Sequence, residues 1–443
     1  MDTGLRIAAG FAIMGIAIGL ATKRARYLVE LLLRGRSDPE RFKGIPTKLK
    51  AQLVKVLGQK KLLQWSVPGA LHALTFWGFL VIQITLIESI GELFSPEFVL
   101  PLIGDHEWLG FMQDLFILLI PLSLIGFAII RVLKSPKRLD RKSRFYGGHL
   151  IAAYVILFLI FMVVSTVAVV RGARWALGTL PYPDWAFVSK ALGKWFQDMN
   201  LSHDTLRWIE DGFLLGHLAV VFGFLVLVVN SKHLHIFTSP LNVMFGRQPL
   251  ALGPLRPMEI DMENMTEETV FGVGKVEDFS WKQLLDGFTC TECGRCQSVC
   301  PAWNTGKTLN PKFIITQTRD HLIEKAPYLL GDKVWAMGAA GSDDAENPMN
   351  KKLIGDVHLE QSIWDCVTCG ACVYECPVDI EHVDHIVDMR RNLVMMESSF
   401  PPEAGAMLRN LENSGNPWGE ASNKRLDWAK GLEEEIVVVN GSI

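Results

Sequence analysis

Hydrophobic residues are spread unevenly along the chain. Five runs, at about 7–22, 67–87, 115–133, 149–170 and 212–229, are apolar and nearly free of charge, and each approaches the ~20 residues that cross a bilayer core as a helix. Five transmembrane helices are predicted. The first run is short and follows Arg6, so a cleaved signal peptide is its rival reading, weakened by the lack of a small-residue cleavage site before KRAR. Beyond about residue 240 the pattern changes to that of a soluble domain, in which PKFIITQTRDHLIEKAPYLL and IEHVDHIVDMRRNLVMMES space their apolar residues as helices do. The expected fold is an all-α membrane domain over residues 1–240, a linker over 241–275 punctuated by GRQPLALGPLRP, a mainly α-helical domain over 276–400, and a tail over 401–443.

Composition agrees, because a 443-residue chain that is 49% hydrophobic is too apolar for an ordinary soluble protein. Charge supplies the orientation. Residues 23–61 carry twelve Lys or Arg against three acids, and residues 131–144 carry seven against one, which places both loops in the cytoplasm. The stretch from Glu88 to Asp114 carries six acids and no Lys or Arg, and the 172–208 loop holds Trp175, Trp185, Trp195 and Trp208, which suits an outer interface. The N-terminus is therefore expected outside the inner (cytoplasmic) membrane and everything after residue 230 inside. Within 23–61, YLVELLLR and LKAQLVKVL read either as amphipathic helices on the inner surface or as a solvated basic loop that only fixes topology. Since the basic residues cluster at membrane loops, nucleic acid is not an expected partner.

All eight cysteines fall in one internal repeat. CTECGRCQSVCP holds Cys290, Cys293, Cys296 and Cys300; CVTCGACVYECP holds Cys366, Cys369, Cys372 and Cys376. Each copy is C-x2-C-x2-C-x3-C-P, the bacterial iron-sulfur run, whose fourth thiolate ligates the other cluster. One 4Fe-4S cluster is expected on Cys290, Cys293, Cys296 and Cys376, and a second on Cys366, Cys369, Cys372 and Cys300. Zinc sites use two pairs of ligands rather than a triple followed by C-P, and cytoplasmic thiols stay reduced rather than forming disulfides. With no cysteine left over, a catalytic thiol is not expected. His321, His358, His382 and His385 read as solvent or packing residues.

Histidines in the apolar runs carry a different chemistry, because polar groups inside a span are costly. His72 lies in the second predicted helix, His149 opens the fourth, and His217 and His235 lie in or just past the fifth. Two axial imidazoles on facing helices can hold haem b. His217 and His235 are 18 residues apart, five whole turns, and so share a face of a continuous helix, with His233 pointing elsewhere. His72 and His235 both fall near the cytoplasmic end and can make one bis-histidine site. His217 has no histidine facing it; pairing it with His149 stretches the geometry. Capping or helix packing is the alternative reading for all four.

Two resemblances follow from these residues. PGALHALTFWGF with LGHLAVVFGFLVLVVNSKHLHIFTSP resembles the nitrate reductase gamma-subunit-like cytochrome b domain. That family implies a five-helix module with axial histidines at positions matching His72, His217 and His235; Ile82 stands where its other second-helix ligand belongs, leaving an outer haem short of a ligand. FGVGKVEDFSWKQLLDGFTCTECGRCQSVCPAWNTGK and WDCVTCGACVYECPVDIEHVDHIVDMRRNLV resemble the electron-transfer-flavoprotein:menaquinone oxidoreductases, relatives of heterodisulfide reductase subunits, and the likeness extends through FPPEAGAMLRNLENSGNPWG. It implies electron flow from a reduced electron-transfer flavoprotein through the clusters and haem b to menaquinone. Members of this family usually continue into a domain with CCG motifs, and the sequence stops about where that domain would begin, so the expectation is either a truncated or split chain or a separate subunit that supplies it. Quinol-linked heterodisulfide reduction within such a complex, and a non-enzymatic electron-relay anchor, are the competing functions.

Overall fold

The computed structural model describes residues 1–247, 269–331 and 347–432, with the single positions 255, 257, 258, 263, 265 and 266. Among them no strand is formed, and five helices are long and apolar enough to cross a membrane: Thr3–Leu32, Ser66–Glu92, Glu107–Leu133, Leu150–Leu177 and His203–Val229, here the first to fifth spans. The protein is a helical membrane protein. Local signals start these helices as expected: the Asp2 carboxylate caps the first through Leu5 N–H (3.1 Å) and Ser202 caps the fifth through Thr205 N–H (3.1 Å). Leu5, Ile16, Leu122, Ile125, Ile151 and Phe158 point outward and expose their side chains, the distribution expected where lipid rather than water is the surrounding solvent.

The fifth span packs on the first and fourth, the fourth on the third, and the third on the second. Close approach is built in at Gly78, where a Cβ would lie 2.8 Å from Ile120 and Phe116 of the third span. An amphipathic helix, Phe187–Asp198, packs against the fourth span at the end where the second span finishes. There the spans run longer than the hydropathy pattern, since Glu88, Glu92, Asp114, Arg171, Arg174 and Glu210 are helical and buried. Their charges are matched internally. Arg171 reaches Asp114 (3.2 Å) and Gln113 (2.6 Å), Arg174 pairs with Glu92, and Arg6 pairs with Asp211 (2.8 Å).

The fifth span does not continue to His235. It ends at Val229, passes through one tight turn at Lys232–Leu234, and a new helix runs from His235 to Phe245. The side chains of Asn230 and Ser231 bond locally, to Val226 O (2.8 Å) and from His233 N–H (3.2 Å), which ends the helical ladder. The shared face expected for His217 and His235 is therefore lost, because it assumed unbroken helix. The basic stretch 23–61 is mostly helical: the first span runs on to Leu32, followed by Ile45–Ala51, Gln52–Leu57 and Lys60–Leu63. Arg41, Lys48 and Lys61 in it are buried rather than solvated.

The chain divides into two compact units. One comprises Met1–Pro257 with Lys275–Ile386, so the five spans and both cysteine runs belong together; the other comprises Met258–Gly274 with Val387–Ile443. In the second, Val273 N–H donates to Asp388 O (2.9 Å) and Pro402–Ser414 forms a helix.

Candidate cofactor sites

The two cysteine runs fold alike. Glu292 (φ 55°) and Gly294 (φ 74°) in the first match Thr368 (φ 53°) and Gly370 (φ 73°) in the second, and short helices Arg295–Val299 and Ala371–Glu375 follow. These helices pack together, so the runs face one another. Cys290 and Cys376, from opposite copies, share one apolar cluster with Ile315, Val378 and Ile380. Burial pushes Cys290 up to about 11, and burial with neighbouring thiolates from both copies pushes Cys296 well above its ordinary value. For Cys300 burial is again the main cause, and the charges it feels are those of Cys366 and Cys369. Thiols packed this closely resist ionising alone, and a cationic iron cube is the partner that relieves them. Among the described residues no three Cys, His, Asp or Glu side chains converge on a single ion; a four-iron cube spreads its thiolates over four irons and needs a wider cage. Backbone amides of Thr368 and Ile380 approach the sulfurs of Cys366 and Cys376 at 3.4 Å. Such bonds tune cluster potential.

The two groups of four differ in surroundings. Cys290, Cys296 and Cys376 are buried, and their loops press on the basic segments at one end of the bundle. Arg295 donates to Lys61 O (2.7 Å) and Leu62 O (2.8 Å), Lys61 donates to Cys376 O (3.0 Å) and pairs with Asp379 (2.7 Å), and Gln297 donates to Ser143 O (2.8 Å). Gly294 lies against the Arg144 carbonyl so closely that a Cβ would stand 1.9 Å from it. By contrast Cys369 is exposed, and beside it Val367 is 67% exposed.

At that same end stand His72, in the first turns of the second span, and His235, which opens the helix following the fifth. His72 Nδ1 lies 3.2 Å from Gln59 Oε1, and His235 Nδ1 lies 3.2 Å from Lys232 O. Both acceptors are carbonyl oxygens, so each Nδ1 carries the proton and each Nε2 keeps its lone pair. No hydrogen bond among the described residues engages either Nε2. An imidazole held this way is a ready iron ligand, and burial lowers the His235 pKa, keeping it neutral. Two imidazoles held in this way have the donor chemistry of axial haem ligands. His233 stacks 5.7 Å from His235, and burial first, then His235 and Lys232, lowers it to about 3.

The other two histidines are placed elsewhere. His149 caps the fourth span with its side chain 64% exposed, and its Nδ1 meets Glu292 at 2.9 Å. His217 is buried near the middle of the fifth span; its Nδ1 meets Thr166 Oγ1 at 3.0 Å and its Nε2 has no hydrogen-bond partner among the described residues. Ile82 is packed into an apolar cluster with Phe116 and Ile120. The described residues around His217 include no second histidine, and the pocket beside it has room for about one water, so they do not fit a haem. Of the remaining histidines, His321, His358, His382 and His385 are buried; His358 Nε2 meets Thr318 Oγ1 at 2.8 Å and His385 Nε2 meets Asp286 at 3.3 Å.

Glu292, within the first cysteine run, was not foreseen. Burial raises its carboxyl, but Lys232 (3.1 Å), the His149 amide (3.0 Å) and ring, and Arg319 (3.4 Å) outweigh that and hold it at about 2. It thus ties the Cys290–Cys293 loop to the Lys232 segment that carries His235. The only signal in the sequence was an acid inside a cysteine run.

Residues 289–380 match the 4Fe-4S dicluster domain family. The EtfAB:quinone oxidoreductase of Syntrophomonas wolfei subsp. wolfei is 33% identical over 92% of this chain and 58% of its own length. The probable iron-sulfur-binding oxidoreductase FadF of Bacillus subtilis is 35% identical over 88% of this chain and 55% of its own length. A probable membrane-anchored ferredoxin of Chromohalobacter salexigens is 33% identical over 45% of this chain and 31% of its own. The chain thus spans little more than half the length of the first two relatives. No solved structure matches it. The chain is similar to the membrane-bound iron-sulfur oxidoreductases that these relatives represent, and it joins five candidate membrane helices to a 4Fe-4S dicluster domain.

Proposed function

We propose that the chain is a quinone-linked electron-transfer oxidoreductase of the inner membrane, taking electrons from a reduced electron-transfer flavoprotein in the cytoplasm to menaquinone in the bilayer. The observation that carries this reading is the grouping of sites at one end of the bundle: two cysteine runs packed together, with Cys369 exposed on one side and Cys290, Cys296 and Cys376 buried against the basic segments, and His72 and His235 at that same end. On it, Cys366, Cys369, Cys372 and Cys300 hold the 4Fe-4S cluster nearest the donor, and Cys290, Cys293, Cys296 and Cys376 hold the one nearest the membrane. His72 and His235 hold one haem b. When bound, these groups supply one-electron carriers in series; the chain supplies the thiolates, the amide bonds to sulfur and the fixed imidazole tautomers that set their potentials. The basic loops beneath the dicluster domain support a cytoplasmic position for it. The relative named for EtfAB and quinone supports the donor and acceptor classes.

Redox difference spectra and turnover test this together. Purified membranes should show a b-type band that is lost in His72→Ala and in His235→Ala but kept in His149→Ala. Reduced flavoprotein should drive reduction of a menaquinone analogue. If the wild type lacks the b-type band, the haem assignment fails. A chain that accepts electrons from flavoprotein but reduces no quinone would instead be an electron-relay anchor.

A further inference from the structure

Among the described residues, ten buried side-chain polar atoms lack a hydrogen-bond partner, and four of them, Glu88 Oε1, Arg171 Nη2, Arg174 Nε and His217 Nε2, belong to residues lining one pocket. This pocket lies under Phe98, Val99 and Pro181, at the end of the bundle away from the dicluster domain. Leaving a buried donor or acceptor unpaired is costly, so four such atoms on residues lining one pocket call for an occupant. Arg171 Nη2 sits 3.2 Å from Asp114 Oδ1 without hydrogen-bond geometry, and Arg174 Nε is 4.0 Å from Glu210. Both are donors. Glu88 Oε1 is an acceptor, its sister oxygen already taking the Gln113 amide at 3.2 Å. His217 Nε2 is also an acceptor. With the Thr166 hydroxyl donating to a carbonyl of its own helix (2.9 Å), its oxygen can accept the His217 Nδ1 proton, the tautomer in which Nε2 keeps a lone pair.

The space admits about one water molecule, which can donate to the Glu88 and His217 acceptors and accept from a neighbouring guanidinium. We propose that the pocket holds an ordered water, and that His217, this water and Glu88 form a proton-transfer site serving the end of the bundle away from the clusters. The path onward is carboxylate to carboxylate. Glu92 also lines the pocket, Glu210 stands by Arg174, and Arg207, which pairs with Glu210 at 2.8 Å, is partly exposed. A quinone taking two electrons takes two protons to become a quinol; with electrons delivered at the dicluster end, this site would bring the protons from the opposite side. That purpose rests on the quinone-linked reading, but the water site stands on geometry alone.

Two measurements on the full chain test the proposal. In infrared difference spectra of the chain in lipid nanodiscs, a water O–H stretch should shift in H2(18)O, persist in His217→Gln, which keeps an acceptor, and vanish in Glu88→Leu. In proteoliposomes with the dicluster domain outward and a pH indicator inside, quinone reduction should make the lumen alkaline. His217→Gln and Glu88→Gln should each slow that uptake at least about tenfold while the clusters reduce at the wild-type rate. Absence of the isotope-sensitive band, or unchanged lumenal uptake in both variants, would overturn the site. If the wild type reduces no quinone, the quinone-linked reading fails, and the infrared result still decides the water.

Discussion

At the scale of single residues, three histidines share one arrangement. Each has its Nδ1 held by a fixed oxygen: His72 and His235 give Nδ1–H to the carbonyl oxygens of Gln59 and Lys232 and keep a lone pair on Nε2, and His217 Nδ1 meets the Thr166 hydroxyl. For His72 and His235, tautomer and ring orientation are thereby set before any ligand arrives, which is what outer partners of ligating imidazoles do. What separates them is their surroundings: His72 and His235 lie at the dicluster end of the bundle, and His217 lines a pocket with Glu88, Arg171 and Arg174. The candidate ligands were legible in the sequence because a histidine in an apolar run is conspicuous. Their partners were not, since Thr166 lies 51 residues from His217 and Gln59 lies in a basic stretch with no apolar pattern to place it. Replacing Gln59 by Leu removes the acceptor and frees the His72 ring. Haem titration of the purified variant should show affinity lowered roughly 10–100-fold, and unchanged affinity would make Gln59 incidental.

At the scale of elements, the repeat is the most legible part of the chain and the polar helix ends the least. A cysteine run fixes its own loop, because spacing and a left-handed glycine are local facts. The ends of the spans depend on pairing across helices: Arg171 with Asp114 and Arg174 with Glu92 let charged turns stay helical where a hydropathy window sees loop. The break at Asn230–Ser231 escaped for the converse reason, as two polar side chains in a greasy run do not reveal that they bond to their own backbone. The facing of the two runs gives a sharp expectation. Cys290→Ser and Cys376→Ser, from opposite copies, should abolish the same electron paramagnetic resonance signal, each lowering iron from about eight to about four atoms per chain. Loss of different signals would mean that each copy binds its own cluster. Gly294→Ala should resemble Cys290→Ser in iron content, since alanine is strained at φ 74° and its Cβ would strike the Arg144 carbonyl.

At the scale of the whole molecule, the basic segments between spans act as the seat of the dicluster domain as well as a topological signal. Arg41 is the deepest of these contacts. Its guanidinium meets both oxygens of Glu381 at 2.7 Å and Asp38 at 2.8 Å, with Arg41, Glu381 and Asp38 all buried. Burial alone would raise the Glu381 carboxyl, and Lys282 and Arg41 instead hold it far below its ordinary range. Removing one partner from such a pair leaves a buried charge unmatched, at a cost of about 3–5 kcal/mol. Arg41→Ala should therefore loosen the seat rather than unfold the spans: in detergent, the thermal transition followed by cluster absorbance should fall while the helical signal of the bundle melts as before. Lys43→Ala provides the contrast, because Lys43 pairs with Glu40 on an exposed surface, where a pair is worth at most about 1 kcal/mol. Arg41→Ala should also slow electron passage from the clusters toward His72 and His235, since tunnelling depends on a separation that this contact helps to hold. Stopped-flow reduction in which the clusters bleach at the wild-type rate and the b-type band lags would show that the seat sets this distance. Equal rates in wild type and variant would place its role in stability alone.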